Sequence, residues 1–458
     1  MDTLKNMTLS NIAKACEGTY FGPDNLKEAM ITGVEKDSRL IEEGYLYLPF
    51  VGNVVDGHDF IPQVFEKGAL CTLSEKKLDI TDKPYILVES VGVALKKIAA
   101  FYREQISAKI IGITGSVGKT STKEMIASVL SEKFDVHKTA GNYNNEIGMP
   151  LTILQIRDHH EIGVIEMGIS DFSEMHRLSE VAKPDICVIT NIGDCHLENL
   201  KNRDGVLKAK SEIFDFAKDD ALVVLNGDDE KLATVNSLGN RKIVFYGNES
   251  NRDIFATNVE SLGIFGSKVT INYKGESFDT QIPAAGSHMV NHALCATCIA
   301  KYLGMTNEEI DRGIRSLESI EGRNKIIKTD KYTVIDSCYN ANPMSMKSSI
   351  DTLSETKGRR VAILGDMFEL GENTAELHRQ IGEYAATKPL DVIVCVGELS
   401  KNIFNEIEKN RNGNLYYFEK KEDLINNLND IIHNDDIILV KASNGMKFKE
   451  LVKILVES

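Results

Sequence analysis

GITGSVGKTST, residues 112–122, lies between the apolar run Lys109-Ile110-Ile111 and the helix-forming stretch Lys123-Glu124-Met125-Ile126-Ala127. A glycine-bent loop between a strand and a helix can surround phosphate oxygens with backbone N–H groups, and the open helix N-terminus adds further donors. Lys119 is placed to contact the β and γ phosphates of ATP, and the Thr120 hydroxyl to hold Mg2+ on the nucleotide. We therefore predict that the nucleotide is bound by Thr114, Gly115, Ser116, Val117, Gly118, Lys119, Thr120 and Ser121.

The loop departs from the usual pattern at one position. The first glycine of that pattern, five residues before Gly118, is Ile113 here. The loop resembles a shorter variant that keeps Gly115 and Gly118. Because Gly-Lys-Thr occurs often by chance, the prediction depends on the strand before the loop and the helix after it.

Length and composition limit the class of protein. A chain of 458 residues is too long for one ordinary core and predicts about three domains. Apolar content of 42% and charged content of 26% are typical of a globular protein. The net charge of -15 argues against a nucleic-acid-binding surface, although a local basic pocket remains compatible with it. No signal-like or membrane-length apolar run is present, so we predict a cytoplasmic protein without a membrane span.

The eight cysteines are scattered, and Cys187 and Cys395 lie in apolar runs. A disulfide framework is therefore not expected. Cys295 and Cys298 have Cys-x-x-Cys spacing, but they lie in an alanine-rich helical segment with no second pair nearby. Core packing is favoured there over a redox or zinc site.

The pattern along the chain predicts an α/β fold of three domains, at residues 1–105, 106–320 and 321–458. The first ends in a helix-like segment, 91–102. The second has continuous apolar runs separated by helical stretches, which indicate a parallel P-loop ATPase sheet. Its runs are 110–114, 163–167, 186–191 and 221–226. Alternating residues between Lys242 and Pro283 predict flanking antiparallel strands, and a helical stretch follows at 288–303. A third, Rossmann-like section has strand candidates at 333–336, 360–364, 391–396 and 436–440.

Two side chains follow predicted parallel strands of the middle section. Glu166 ends the run that begins at Gly163, and His196 follows the run that begins at Ile186. Because residues beyond the carboxyl ends of parallel strands line the ligand crevice, both should lie near the phosphate loop. A carboxylate and a neutral imidazole beside nucleotide phosphates suit Mg2+. Each residue alone would more simply be a solvated loop position.

Other candidates are weaker on spacing alone. Lys210 lies on a predicted helix, where an exposed lysine is the ordinary interpretation. Arg323 and Asp336 stand where a third domain could close over ATP, and an arginine there could neutralise phosphate charge. The segment from Gly141 to Pro150, which includes Asn145, is either an ordinary loop or a ligand loop.

Taken together, these motifs resemble those of the Mur ligases, ATP-dependent amide-forming enzymes of peptidoglycan precursor synthesis. The resemblance covers all three sections. It is carried by Asp37-Ser38-Arg39, Asp56-Gly57-His58-Asp59-Phe60, residues 114–120, 142–150, 166–168, 191–196 and 209–214, Asp336-Ser-Cys-Tyr-Asn-Ala-Asn-Pro343, residues 364–371 and Lys441-Ala-Ser-Asn-Gly445. The Asn340-Ala341-Asn342-Pro343 form and the 365–371 form are similar to the dipeptide-adding branch. The Asp-Asn-Pro-Arg signature of the diaminopimelate-adding relatives is absent.

The resemblance implies roles for individual residues. Ser38 and Arg39 would contact the UDP part of UDP-N-acetylmuramoyl-tripeptide, and Asn145 and Asn340 would also bind substrate. Thr120, Glu166, His196 and a carbamate formed with CO2 on Lys210 would hold Mg2+. Lys119, Lys210, His196 and Arg323 would be catalytic, and Asp336 would contact the nucleotide. D-alanyl-D-alanine would be the second substrate, and the protein would act as a monomer.

One segment departs from the family pattern. Relatives commonly read Gly-x-His-Asn-x-x-Asn-Ala, whereas this chain has Gly286-Ser287-His288-Met289-Val290-Asn291-His292-Ala293. Either His292 or its neighbour Asn291 could then hydrogen-bond adenine.

Two other functional classes remain open from the sequence. One is a related ligase that acts on folate or on another amino acid, although folylpolyglutamate synthetases lack the amino-terminal domain. The other is an ATP-binding switch protein without ligase activity.

Overall fold

The structure is a computed structural model that describes residues 3–411 and 413–457. It contains three sheets, which follow one another along the chain in the order of the three predicted domains. The predicted domain boundaries themselves stay a prediction. No helix of the described residues is long and apolar enough to cross a membrane.

The first sheet has five strands in its described part, in the order β1-β5-β4-β3-β2. They are β1 (Thr19–Phe21), β2 (Gly33–Glu35), β3 (Tyr45–Tyr47), β4 (Cys71–Ser74) and β5 (Tyr85–Leu87). The helices are α1 (Leu9–Ala15), α2 (Ile61–Glu66) and α3 (Val91–Arg103). The helix predicted at 91–102 is therefore confirmed as α3. Ser90 caps it by accepting a hydrogen bond from the Val93 N–H.

The middle sheet has nine strands among the described residues, in the order β14-β13-β12-β11-β10-β9-β6-β8-β7. They are β6 (Lys109–Thr114), β7 (Val136–Lys138), β8 (Ile162–Glu166), β9 (Ile186–Ile189), β10 (Leu222–Asn226), β11 (Lys242–Gly247), β12 (Ile254–Ser261), β13 (Ser267–Tyr273) and β14 (Glu276–Ile282). The helices are α4 (Lys119–Leu130), α5 (Gly148–Leu154), α6 (Glu174–Ala182), α7 (Leu197–Leu200), α8 (Arg203–Ser211), α9 (His288–Tyr302) and α10 (Asn307–Arg315).

The antiparallel prediction for residues between Lys242 and Pro283 is wrong for its first strand. β11 runs parallel to both β10 and β12, and the antiparallel pairing begins only between β12 and β13. Residues 227–241 carry the chain back to the end of the sheet at which β10 begins. The connection between β10 and β11 is therefore a crossover rather than a hairpin.

The third sheet has the order β15-β16-β20-β17-β18-β19 within the described chain, and only β15 is antiparallel to its neighbour. Its strands are β15 (Lys325–Lys328), β16 (Thr333–Asp336), β17 (Arg360–Gly365), β18 (Val392–Val396), β19 (Asn414–Phe418) and β20 (Ile437–Lys441). Its helices are α11 (Pro343–Ser354), α12 (Thr374–Ala386), α13 (Lys401–Asn410), α14 (Lys421–Ile431) and α15 (Lys449–Glu457). Part of the Asn-Ala-Asn-Pro motif is structural, because Asn342 caps α11 and Pro343 occupies its first turn.

Apolar packing joins the sheets unequally. One core runs from the first sheet through α3 to one face of the middle sheet, and α4, α9 and α10 cover the opposite face. The third sheet has separate cores on its two faces. All eight cysteines are buried free thiols, and Cys295 and Cys298 belong to the α9 packing, as predicted.

Candidate active site

The phosphate loop connects β6 to α4. Gly115 has φ 150° and Gly118 has φ 80°, conformations that residues with side chains rarely adopt. A Cβ on Gly118 would lie 2.7 Å from Cε1 of His292. The His292 ring therefore packs directly against the loop and leaves no room for a side chain at this left-handed position. Ile113 lies within β6 and is fully buried, so the loop begins only after Thr114. The two glycines therefore leave space in the loop beside the N-terminal N–H groups of α4, and this space can hold a phosphate group.

The strand next to β6 holds the loop in shape. Thr190, which follows β9, donates its hydroxyl to the Val117 carbonyl at 2.6 Å. The Asn191 amide accepts from the Val117 N–H at 3.0 Å and donates to the same carbonyl at 3.0 Å. The Ser116 hydroxyl accepts from the Gly193 N–H at 2.8 Å. The cradle is thus preformed by two adjacent strand ends.

Glu166, the last residue of β8, is buried beside the loop with 2% exposure. Its two carboxylate oxygens accept hydrogen bonds from the Thr120 hydroxyl at 3.0 Å and from the Asn144 amide at 2.8 Å. No cationic side chain of residues 3–411 or 413–457 pairs with it within 4.0 Å. A buried carboxylate without a cation is costly, so this donor set fits a divalent metal ion.

His196 and Lys210 add a nitrogen donor and a buried amine. Burial, followed by the positive charges of Lys210 and Lys119, lowers the pKa of His196 to about 4 and keeps its imidazole neutral. Lys210 lies on α8 with 1% exposure and forms no ion pair within the described chain. Burial and then the charge of Lys119 lower its pKa to about 8. The expectation of an ordinary exposed lysine is therefore wrong.

The third domain contributes the facing wall. Arg323 donates to the Thr120 hydroxyl at 3.0 Å, and its guanidinium lies 4.1 Å from the ring centroid of Tyr339. Burial lowers the pKa of Arg323, although a guanidinium stays charged at neutral pH. Asp336 is 4% exposed and accepts hydrogen bonds from the Cys338 N–H and thiol. Its neighbours Ser337 and Tyr339, rather than Asp336 itself, face the cleft.

A cavity of about 860 Å³ lies between the middle and third domains. Most of the predicted site residues line it, namely Ser116, Val117, Gly118, Lys119, Ser121, Asn145, Glu166, His196, His292, Arg323 and Asn340. The Nζ of Lys119 donates to the Gly115 carbonyl at 2.8 Å and has no carboxylate partner in the described residues. The cavity therefore combines an anion cradle with the buried carboxylate of Glu166 and with cations, Lys119 and Arg323, that form no ion pair in the described residues.

The predicted UDP contacts lie elsewhere. Ser38 and Arg39 follow β2 in the first domain and do not line the cavity. The Arg39 side chain is 83% exposed, and its guanidinium pairs with Asp37 at 2.6 Å.

His292 and Asn291 have different surroundings. His292 Nδ1 shares a hydrogen bond with the Thr122 hydroxyl at 2.9 Å, and its ring supports Gly118. Asn291 also lines the cavity, and its buried Oδ1 has no hydrogen-bond partner in the described part of the chain. Either contact to adenine stays a prediction.

Sequence reasoning missed three residues that organise the cleft. Asn144 holds Glu166, Asn191 holds the loop, and Lys441 donates to the Ser337 and Asn340 carbonyls at 3.3 and 3.2 Å. Lys441 is buried, and burial with the charge of Arg323 lowers its pKa to about 7. All three residues lie inside motifs that carry the family resemblance. The sequence therefore contained them, but it did not indicate what each of them does.

The fold and this cleft define an α/β protein of the nucleotide-binding class, in which a P-loop domain faces a Rossmann-like domain across the cavity. Comparisons with known proteins agree. Residues 30–113 match the catalytic domain of the Mur ligase family, residues 113–300 the Mur ligase middle domain, and residues 322–444 the Mur ligase glutamate ligase domain.

The full chain also has close relatives. UDP-N-acetylmuramoyl-tripeptide–D-alanyl-D-alanine ligase of Bacillus subtilis is 36% identical over 98% of both chains. A crystal structure of MurF from Acinetobacter baumannii has a TM-score of 0.90 and 29% identity, and covers 100% of both chains. MurF ligase from Thermotoga maritima, solved in complex with ADP, has a TM-score of 0.82 and 27% identity, covering 93% of this chain and 97% of that one. The chain belongs to the Mur ligase family.

Proposed function

We propose that this protein is an ATP-dependent ligase that joins D-alanyl-D-alanine to UDP-N-acetylmuramoyl-tripeptide and releases ADP and phosphate. Its similarity along the whole chain to ligases of that name supports the substrates. The observation that carries the chemistry is the buried Glu166 carboxylate, which is hydrogen-bonded to the phosphate-loop hydroxyl of Thr120 and has no cationic side chain of the described residues within 4.0 Å. That pairing is suited to a metal–nucleotide complex.

The residues around the loop suit ATP and Mg2+. Thr114 through Ser121 form the loop, in which Lys119 provides a cation for the β and γ phosphates. Thr120, Glu166 and His196 would hold Mg2+, which supplies charge neutralisation between the phosphates and the attacking carboxylate when bound. Arg323 would contact the γ phosphate from the opposite wall, and Asp336 would act on the nucleotide through the loop it holds.

Lys210 is the proposed site of a carbamate. With a pKa lowered to about 8, about a tenth of its amine is neutral at pH 7, far more than for an ordinary lysine, and only the neutral amine adds CO2. The product replaces a cation with an anion beside His196. That charge reversal relieves the cost of a buried ammonium and adds an oxygen ligand for Mg2+.

The proposed reaction has two steps. The terminal carboxylate of the tripeptide attacks the γ phosphorus, the bond to the β-phosphate oxygen breaks, and an acyl phosphate and ADP form. The dipeptide amine then attacks the acyl carbon, loses a proton, and expels phosphate as the amide forms. Asn145 and Asn340 lie on opposite walls of the cavity, where they can position the two substrates. Closure of the third domain keeps water from the acyl phosphate.

The remaining contacts extend the same proposal. Ser38 and Arg39 bind the UDP end. There the exposed Arg39 guanidinium can leave its ion pair with Asp37 and pair with the diphosphate instead. Asn291 Oδ1 and His292 Nε2 are both buried without a hydrogen-bond partner in the described residues, and Asn291 is favoured for adenine because His292 already bonds Thr122 and packs against Gly118. Asn291→Ala should raise the KM for ATP about 10-fold with kcat unchanged. An unchanged KM would remove Asn291 from the site.

A phosphate-release assay tests the function. With ATP and the tripeptide precursor, D-alanyl-D-alanine should support turnover, whereas glutamate, lysine and diaminopimelate should not. Lys119→Ala should abolish that release without changing the unfolding midpoint. Preference for glutamate or another single amino acid would reassign the enzyme to a related ligase, and phosphate release independent of any amine would indicate an ATP-binding switch.

A further inference from the structure

Three of the ten histidines of the chain lie at one edge of the middle sheet and do not line the cavity of the candidate active site. His137 belongs to the edge strand β7, and His159 and His160 lie in the loop before β8. The ring centroids of His159 and His160 are 4.1 Å apart, and those of His137 and His160 are 5.1 Å apart. Asp135, the residue before β7, adds a carboxylate to the group.

Hydrogen bonding within the fold does not account for this group. The side chains of Asp135 and His159 are exposed and have no hydrogen bond or ion pair among residues 3–411 and 413–457. Nε2 of His137 is buried and also lacks a hydrogen-bond partner in that part of the chain. An unpaired buried polar atom in a native structure often has an ion or a water molecule as its partner.

The group brings the atoms of a metal site close together. Asp135, His159 and His160 each place one metal-ligand atom within 4.8 Å of the other two. Ligand atoms bound at about 2.0–2.1 Å to a tetrahedral Zn2+ lie roughly 3.3 Å apart. The exposed side chains of Asp135 and His159 can cover the difference by rotation, because no hydrogen bond in the described residues fixes either of them. Two imidazoles and a carboxylate are donors that suit Zn2+, whereas Mg2+ prefers oxygen ligands.

The imidazoles are suited to ligation because a metal binds the uncharged ring. Burial, followed by the charge of His159, lowers the pKa of His160. Burial, followed by the charge of His160, lowers the pKa of His137 to about 4. Nδ1 of His160 accepts the Arg157 N–H at 2.8 Å, so ligation competes with that hydrogen bond. We therefore expect weaker binding than at a structural zinc site with four protein ligands.

We infer that Asp135, His159 and His160 bind a divalent transition cation of the Zn2+ class, separate from the Mg2+ proposed at the phosphate loop. With three protein ligands, water completes the tetrahedral set. The cation joins the loop before β8 to the start of β7. Arg157 of the same loop donates to the Thr32 carbonyl at 3.3 Å, so the cation also steadies a contact between the first two domains. Because the unfolded chain does not hold these ligands together, the bound cation stabilises the folded state.

Calorimetric titration of the metal-free, full-length protein with ZnCl2 in excess MgCl2 tests the inference. The wild type should show a binding step with a Kd on the order of 10 µM, and His159→Ala should weaken that step at least about 10-fold. Asp135→Asn keeps an oxygen donor and should lose less. His176→Ala is the matched control, because His176 is another exposed histidine beside a carboxylate, Asp215 at 2.7 Å. This variant should bind Zn2+ like the wild type.

Diffraction at the zinc absorption edge locates the ion. Anomalous density between His159 and His160 is the expected result. An ion bound only at Glu166 and His196 would overturn the inference, as would equal Zn2+ affinity of His159→Ala and His176→Ala.

Thermal unfolding gives a second measurement. Zn2+ should raise the unfolding midpoint of the wild type and of His176→Ala, but not that of His159→Ala. An equal rise in all three proteins would show that the cation acts elsewhere and would overturn the inference. None of these measurements uses a ligase substrate, so their outcome does not depend on the proposed function.

Discussion

The two boundaries of the middle domain are built differently. At the first, a continuous apolar core passes from the amino-terminal sheet into the middle sheet, and the buried Arg103 pairs with Asp185 at 2.9 Å. At the second, only partly buried apolar side chains such as Leu197 and Ile264 pack against the core of the third sheet, and polar contacts such as Ser261 to Glu355 at 2.8 Å accompany them. Water can replace polar contacts but not a shared core. The first two domains therefore form one body, to which the third is joined with less apolar packing.

Removing the buried ion pair should have the largest effect on stability. Arg103 also donates to the carbonyls of Ala182 and Lys183, and the paired side chains are 7% and 12% exposed. Arg103→Ala removes one of the two cations that pair with Asp185, the other being Lys218 at 2.5 Å, and takes the donor from two carbonyls, so it should lower the free energy of unfolding by about 2–3 kcal/mol in denaturant titrations. Lys183→Ala breaks a more exposed pair with Glu104 at the same boundary and should cost less than about 1 kcal/mol. Similar losses for both variants would show that the boundary is not held by its buried charges.

Within the same body, a change at Lys210 should affect chemistry instead of stability. Lys210→Ala should lower the ligase rate roughly 100-fold by removing the carbamate, and short-chain carboxylic acids should restore part of it. The free energy of unfolding should stay level or rise, because a desolvated, unpaired amine is removed. Lys208→Ala, on the exposed side of α8, should behave as the wild type in both measurements. Normal activity of Lys210→Ala, or the absence of rescue, would reject the carbamate.

A smaller, pH-dependent effect is expected at Glu146. It bonds Arg177 of α6 at 2.5 Å and Lys96 of α3 at 2.7 Å, and the Arg177 hydrogen bond is the main reason that its pKa falls from 4.5 to about 2. A lowered carboxyl pKa adds stability that is present above about pH 4.5 and is lost as the pH falls through 2. Glu146→Gln should cost about 1 kcal/mol at pH 7, and this cost should shrink as the pH approaches 2 and disappear below it. A cost that stays constant between these pH values would contradict the assignment.

The smallest effect is expected at the second boundary. Glu355→Gln, at the contact with Ser261, should change the free energy of unfolding by no more than about 0.5 kcal/mol. A loss comparable to that of Arg103→Ala would remove the distinction between the two boundaries.

Much of the architecture could be predicted from apolar runs. The strand predicted at 333–336 is β16, and the helix predicted at 288–303 is α9 within one residue. Buried parallel strands leave a strong signal because both faces are apolar. The direction of β11 could not be predicted, because periodicity does not encode which way a strand is paired.

The site could be predicted only in part. Thr120 and Glu166 were expected together because both follow carboxyl ends of parallel strands, and the structure brings them into contact. Asn191 holds the phosphate loop through a loop that reaches it only after folding. Polar side chains in loops leave no periodic signal, so their partners require the three-dimensional arrangement.

The core shared by the first two domains has a consequence for substrate choice under the proposed function. If the UDP end is bound near Ser38 and the γ phosphate at Lys119, both anchors belong to one rigid frame. The frame then acts as a ruler, because only a peptide of the right length can present its terminal carboxylate to the phosphate. A precursor one residue shorter should bind normally yet release no phosphate in the same assay. The apolar contacts beneath the two sheets would thus determine at which stage of peptide growth the enzyme acts.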